Sequence, residues 1–315
     1  MHEIEITEIP PLSAGEQSLL DLHSVMNVLN VLRCELVVLG LTVADNETFF
    51  TDGIAVCDRL LASLHDRTAA LEQAAHIAEF EQTVFAELDT KLAQTRFAPS
   101  SAEAAEAMAN LRTVFAILTV RAREILARAA APDRWENFDP EQLRAGFLGV
   151  FAAIEKNSKG RYHILYNAAL QGQNDYYVDL KIEAVAAATV WIPPVFHDVM
   201  RDLVANARKY TPPGGHITAA LFQDGECLRF LVEDTGRGIP PGEITNVVQF
   251  GKRASNVGDV RTMGGGFGLT KAFLVTKQFG GRLWIASEPG KGTRIRIWIP
   301  CPPAVSGTIG GSLGR

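Results

Sequence analysis

The spacing of apolar positions changes character once along the chain. From residue 15 to about 158, apolar side chains recur every three or four positions, as on one face of a helix. Leu22, Met26, Leu29 and Leu32 make the first stripe. A second helix is predicted from near Asp52 past Leu71 towards Leu92, with Ile54, Cys57, Leu61 and Leu64 on its buried side. A third follows Pro99, with Ser100 or Ser101 as cap and Glu103 in its first turn, and stops at Pro132. The shorter "DPEQLRAGFLGVFAAIEKN" has Asp139 as cap and Pro140 at its first helical position. The expectation is an all-α helical bundle whose wide stripes can also pack across a dimer.

After Lys159-Gly160 the period drops to two. Tyr176, Val178, Leu180 and Ile182 share one face of a strand. "HITAALFQ" and "CLRFLVED" flank Asp224-Gly225, a hairpin-turn signal, and "RLWIAS" and "TRIRIWI" flank "EPGKG". Two helical stretches, "VFHDVMRDLVANARKY" and "LTKAFLVTKQF", lie between. Strand pairs separated by helices predict an α+β sandwich with helices on one face of a mixed sheet. The expected division is an N-terminal extension over 1–14, a helical region over 15–158, an α+β domain over 159–303 and a disordered Gly/Ser-rich tail over 304–315.

Composition narrows the class. With 315 residues, 47% of them hydrophobic and 21% charged, the chain has material for two cores. A net charge of −6 argues against a general role on nucleic acid. Cys34, Cys57, Cys227 and Cys301 form no CxxC pair and read as free thiols of a reducing compartment. The start, "MHEIEITEIPPLS", lacks the basic head and apolar core of a signal peptide. The most apolar run, "VLNVLRCELVVLGLTV", carries Arg33 and Glu35 and reads as too short and too charged to span a membrane. A cytoplasmic location is expected.

Four stretches of the second half carry chemistry. In "DLVANARKYT", Asp202 and Asn206 lie one turn apart on a helix face, and an amide oxygen is a suitable hard ligand for Mg2+. Lys209 follows within one turn and can meet a phosphate as a point charge. In "EDTGRGIP" a strand ends in acid, and Gly236 and Gly238 let the backbone approach a ligand. In "MGGGFGLT", Gly264, Gly266 and Gly268 free the backbone to wrap phosphates just before a helix N-terminus. No GK[ST] follows and no βαβ unit frames it, which excludes a P-loop and a dinucleotide fingerprint. Between them, "PGEITNVVQFGKRASNVGDVRT" is polar enough for a lid, with Phe250 as anchor and Lys252, Arg253 and Arg261 to meet phosphate charge. Each stretch alone also fits a bland surface feature.

In this order and spacing, and closed by "GGRLWIASEPGKGTRIRIWIP", these stretches resemble the ATP-binding domain of sensor histidine kinases, in the superfamily shared with gyrase, heat-shock chaperones and mismatch-repair ATPases. The resemblance covers about residues 174–300. It implies a Bergerat-type α+β sandwich that binds ATP with Mg2+. It puts Asn206 on the metal, Asp234 on adenine, and Gly236, Gly238, Gly264, Gly266 and Gly268 around the nucleotide, with Lys209, Tyr210 and Leu269 lining the pocket. Lys252 stands where the family often has a basic lid residue. Asp202 departs from the pattern: histidine kinases commonly have asparagine there, and hydrolytic members have glutamate as general base.

Such a domain needs a phosphoacceptor. The family pattern is a helix histidine, then an acidic residue, Asn or Thr at four and Leu at six. His23, Asn27 and Leu29 match it; Ser24 replaces the acid, leaving Asp21 as a possible substitute. By this resemblance His23 attacks the terminal phosphorus and Asn27 positions water for the reverse dephosphorylation of a partner. His65 has an acidic neighbour in Asp66 but Ala69 at four, and His76 has neither feature. The segment from about 100 to 157 exceeds the family's usual hairpin and is expected to dock a partner or take an input, for instance from an upstream sensor protein. The leading reading is a dimeric histidine kinase passing phosphate to a response-regulator receiver aspartate. The alternatives are a non-kinase ATP-dependent switch or phosphatase, and a serine kinase of the anti-sigma type, against which the helical half argues.

Overall fold

The computed structural model describes residues 1–95, 102–185, 188–259 and 265–303. Pro99 and the predicted caps Ser100 and Ser101, the candidate cation Arg261, the site residue Gly264 and the tail 304–315 lie outside them. Two compact units emerge, one formed by residues 11–132 and the other by 1–10 together with 133–315.

The chain opens with β1 (Glu3–Ile6), then forms α1 (Ala14–Asp21) and α2 (His23–Ala44). Ser13 caps α1 in a reciprocal box with Glu16. Leu29, Leu32 and Leu36 bury the inner stripe of α2 in the core of the helical unit. By length and composition alone the whole of α2 is long and apolar enough to cross a bilayer, and its leucines pack among the other helices of the unit.

The single long helix expected from Asp52 to Leu92 is three helices: α3 (Thr51–Ser63), α4 (Arg67–Ala75) and α5 (Ile77–Leu92). Asp66 causes the first break, because its carboxylate accepts the backbone N–H groups of Thr68 and Ala69 and so starts a new helix. His76 ends α4 and precedes α5. Val56, Cys57, Leu60 and Leu64 are buried, whereas Ile54 and Leu61 are half-buried. Glu87 of α5 is buried and accepts the N–H groups of Asp52 at 3.1 Å and Gly53 at 2.7 Å, capping α3 from another helix. Lys91 neutralises it at 2.6 Å. The long α6 (Ala102–Ala130) completes this core through Leu111, Phe115 and Leu118.

The second unit continues with β2 (Glu136–Phe138), α7 (Pro140–Asn157), β3 (Ile164–Leu165), β4 (Tyr176–Ala184), β5 (Val190–Ile192) and α8 (Pro194–Tyr210). After β6 (His216–Gln223), β7 (Cys227–Asp234) and α9 (Gly268–Gln278), it closes with β8 (Arg282–Glu288) and β9 (Gly292–Pro300). The main sheet runs β1-β8-β9-β7-β6-β4-β3. It is mixed: β3 with β4 and β4 with β6 are parallel, the other pairs antiparallel. Asp224 turns the β6–β7 hairpin by accepting the N–H groups of Glu226 and Cys227.

Two segments sit elsewhere than the sequence reading placed them. The helix 140–157, expected in the bundle, belongs to the sheet unit, because Leu143, Phe147 and Phe151 join the core that also holds Phe196 and Met200. The division therefore falls at Pro132, not near 158. The N-terminal extension is not loose: β1 pairs with β8, and Glu3 and Glu5 are ion-paired to Arg296 and Arg282. Its four-residue Glu/Ile alternation is too short to stand out in the sequence.

The buried Glu87 yields the first prediction. Glu87→Ala strands two helix N–H groups and a lysine, and should destabilise the helical unit by about 3 kcal/mol. Glu87→Gln keeps an acceptor and should cost less than half of that. Urea unfolding followed by circular dichroism tests this, and equal midpoints for wild type and Glu87→Ala would refute it.

Candidate functional site

The chemistry-bearing stretches of the second unit meet around the C-terminal half of α8. One face of α8 is in the core, with Phe196, Met200, Leu203 and Ala207 buried. Asn206, Lys209 and Tyr210 are only partly buried. Helix α9 begins at Gly268 directly beside Asn206: a Cβ on Gly268 would lie 2.8 Å from the Asn206 side-chain nitrogen. A side chain at 268 would push the Asn206 amide aside.

Asp234 ends β7 at 8% exposure and accepts the Gly236 N–H at 2.8 Å. Burial pushes its carboxyl up to about 6, against the opposing pull of the Gly236 and Thr293 N–H groups. Gly236 touches the end of α8, since a Cβ would sit 2.6 Å from the Tyr210 carbonyl oxygen. Gly238 has φ +68°, and a Cβ would collide with the Glu288 carbonyl of the β8–β9 hairpin. The Gly290 N–H to the Arg237 carbonyl (2.8 Å) and the Ile239 N–H to Ser287 Oγ (2.7 Å) fasten that hairpin to the same loop.

Positive charge gathers at the end of α8. Burial, and secondarily the nearby Arg253 guanidinium, lower the Lys209 ammonium to about 8. Its Nζ lies 5.0 Å from the Tyr210 ring centroid. Two cations held close to each other in a partly dry site are stabilised by an anion. The lid cation felt by Lys209 is thus Arg253; the Lys252 side chain is exposed, although its carbonyl approaches Gly266. Gly266 has φ +79°. The Phe250 ring lies 4.6 Å from that of Phe267. Leu269 packs at the edge of the core as α9 departs.

Arg237, between the two glycines, was not singled out from the sequence. It pairs with Asp259 of the lid through both guanidinium nitrogens, at 2.5 and 2.8 Å. Asn256 donates to the Gly238 carbonyl (2.9 Å), and Ser255 donates its N–H and hydroxyl to Glu243. Lys271 was also missed. It is buried on α9 and donates to Asp202 at 3.2 Å.

In the helical unit, His23 is the first residue of α2, half-buried, with Asn27 Nδ2 3.4 Å from its Nε2. Asp21, the possible substitute acid, is engaged by Arg67 at 2.8 Å and by Gln17 at 3.1 Å. His65 falls in the break between α3 and α4, where Asp66 is consumed as a cap. His76 likewise sits at a helix junction, and Glu79 raises its pKa through a 2.9 Å hydrogen bond. His197 packs against the rings of Phe138 and Phe147.

Residues 193–303 match the family described as histidine kinase-, DNA gyrase B- and HSP90-like ATPase. The adaptive-response sensory kinase SasA of Synechococcus elongatus is 36% identical over 109 residues, 34% of this chain and 28% of that kinase. The circadian input-output histidine kinase CikA of the same organism is 29% identical over 248 residues, 73% of this chain and 31% of CikA. WalK of Bacillus subtilis is 34% identical over 104 residues, 32% of this chain and 17% of WalK. The chain thus spans less than a third of the length of these relatives. A solved structure of the mycobacterial sensor histidine kinase MprB aligns with 53% of this chain and 97% of its own at 20% identity, with a TM-score of 0.36. Residues 193–303 of the C-terminal unit thus carry a histidine kinase-, DNA gyrase B- and HSP90-like ATPase domain, in a chain that also holds a helical unit.

Proposed function

We propose that the chain is a histidine protein kinase. It binds ATP with Mg2+ in the second unit, phosphorylates His23 of the helical unit, and passes the phosphoryl group to a receiver-domain aspartate of a response regulator. The observation that carries this reading is the convergence of Asn206, Asp234, Lys209, Arg253 and the glycine segment 266–268 on one end of α8. The buried Asp234 carboxylate suits the exocyclic amine of adenine. The Lys209–Arg253 pair suits the phosphates, and the loop ending at Gly268 presents helix N–H groups to them.

Asn206 supplies one hard oxygen, which fits Mg2+, an ion that keeps several waters and takes its remaining ligands from phosphate. When bound, the ion neutralises charge on the transferring phosphoryl group. The chain's own groups do the rest. Asp234 fixes the base, Lys209 and Arg253 hold the phosphates, and the ring nitrogen of His23 is the nucleophile. Asn27 is placed to orient that ring. The helical unit is read as the dimerisation and docking module, consistent with the exposed apolar side chains Val38, Leu41, Ile117 and Val120 on α2 and α6. The chain is read as cytoplasmic, and an upstream sensor protein is the expected source of its signal.

One observation favours the second reading, an ATP-dependent switch or phosphatase without autokinase activity. Ser24 offers no carboxylate beside His23, and Asp21 is already committed to Arg67.

Three outcomes follow from the leading reading. Calorimetry should detect Mg-ATP binding to the wild type and none to the Asn206→Ala/Asp234→Ala double variant; unchanged affinity would defeat the nucleotide site. Incubation with γ-labelled ATP should label the wild type and His65→Ala but not His23→Ala, with acid-labile, alkali-stable label. ATP binding without label would favour the switch. The third concerns Asp234. Its folded carboxyl titrates near 6 against an ordinary 3.8, so between these values the folded state holds more protons and stability falls as pH rises. Above about pH 6 the full cost is roughly 3 kcal/mol. Asp234→Asn should therefore be more stable than wild type at pH 7.5, by up to about that amount, with the gap closing towards pH 4. Urea titrations at the two pH values read the gap, and a constant difference would contradict the assignment.

A further inference from the structure

Lys271 is a charged side chain placed on the buried face of α9, between Thr270 and Ala272, at 6% exposure. Its ammonium lies 3.2 Å from Asp202 Oδ2 and 4.0 Å from Asp198 Oδ2. Asp198 is itself buried at 8% exposure and pairs with Arg201. Two carboxylates from α8, one ammonium from α9 and one guanidinium thus form a neutral cluster. A buried lysine is tolerated only with such partners. The cluster lies one turn from the site: Asp202 precedes Asn206 by four residues, and Lys271 follows Gly268 by three. Asn206 against Gly268 and Asp202 against Lys271 are therefore successive rungs between the same two helices.

Asp202 is the acidic side chain one turn from Asn206, and it is 35% exposed. A carboxylate in that place can take a proton from water beside a phosphate held at Asn206. The bond from Lys271 to Oδ2 pins this carboxylate towards α9. We propose that Lys271 is a positioning residue that holds Asp202 against α9 and withholds it from water activation, so that bound ATP is kept for transfer rather than hydrolysed. This rests on the nucleotide site proposed above. Release of Asp202 opens a balanced side reaction. Water attacks the terminal phosphorus and gives a proton to Asp202. The new oxygen–phosphorus bond forms as the bond to the bridging oxygen breaks, and ADP and inorganic phosphate leave.

The test compares wild type with Lys271→Met, Lys271→Arg, Lys271→Met/Asp202→Asn and Asp202→Asn in the full chain, with Lys271→Gln as a second variant should Lys271→Met fold poorly. Mg-ATP affinity is measured for each by calorimetry. Phosphate release from saturating Mg-ATP should rise about tenfold or more in Lys271→Met with KM little changed, as for an uncovered general base. It should stay at the wild-type level in Lys271→Arg, and fall back to that level when Asp202→Asn is added. Without nucleotide, the four corners of the 202/271 cycle should give non-additive urea midpoints, as for a direct pair. Equal phosphate release by wild type and Lys271→Met while both bind ATP would overturn the proposal. So would a gain that survives Asp202→Asn. If the wild type itself binds no ATP, the nucleotide site falls, and this proposal falls with it.

Discussion

The packing of α8 on the sheet is the constraint on which the C-terminal unit depends. Phe196, Met200, Leu203 and Ala207 are driven into the core by apolar burial, which fixes the rotation of the helix about its axis. Asn206, Lys209 and Tyr210 are then presented together at the helix end, because 3.6 residues per turn leave them no other place. The glycines serve this arrangement. At Gly236 the backbone comes so close to the end of α8 that a methyl group would not fit, and at Gly268 a methyl group would displace the Asn206 amide. Apolar burial thus supplies the rigidity, and the polar groups inherit their geometry from it.

Much of this unit was legible in the sequence because its signals are local. Alternation marked β4, β6 and β7, Asp224-Gly225 marked a hairpin, and the polar boxes fall at helix ends and turns. The less legible features are those in which distant residues meet. Glu87 caps a helix that begins some 35 residues earlier, and Lys271 pairs with a residue 69 positions away. Neither has a periodic signature. The breaks at Asp66 and His76 were hidden because capping competes with helix propagation through single side-chain contacts. Within the site, Lys252 was favoured over Arg253 from the sequence, and only the fold shows which of two adjacent cations Lys209 feels.

Charge is used differently in the two parts of the site. Lys209 and Arg253 disfavour each other, and Asp234 is held where ionisation is costly, so these groups gain from a ligand. Asp198, Asp202, Arg201 and Lys271 form a compensated set that gains nothing from one. The segment 255–259 is fastened to the floor through Arg237–Asp259, Glu243–Ser255 and Asn256–Gly238. Charge that is costly in the empty site marks where a ligand lowers the free energy, and ion-paired charge marks where the scaffold is fixed.

The edge strand β1 carries a consequence for synthesis. Glu5 and Glu3 bond with arginines 277 and 293 positions further along the chain. During synthesis, Glu3 and Glu5 must therefore wait for β8 and β9 before they find their partners. Meanwhile residues 11–132 can complete a core of their own. Folding would then proceed from the inside of the sequence outwards, with early, local helix packing and a late, non-local closure of the sheet.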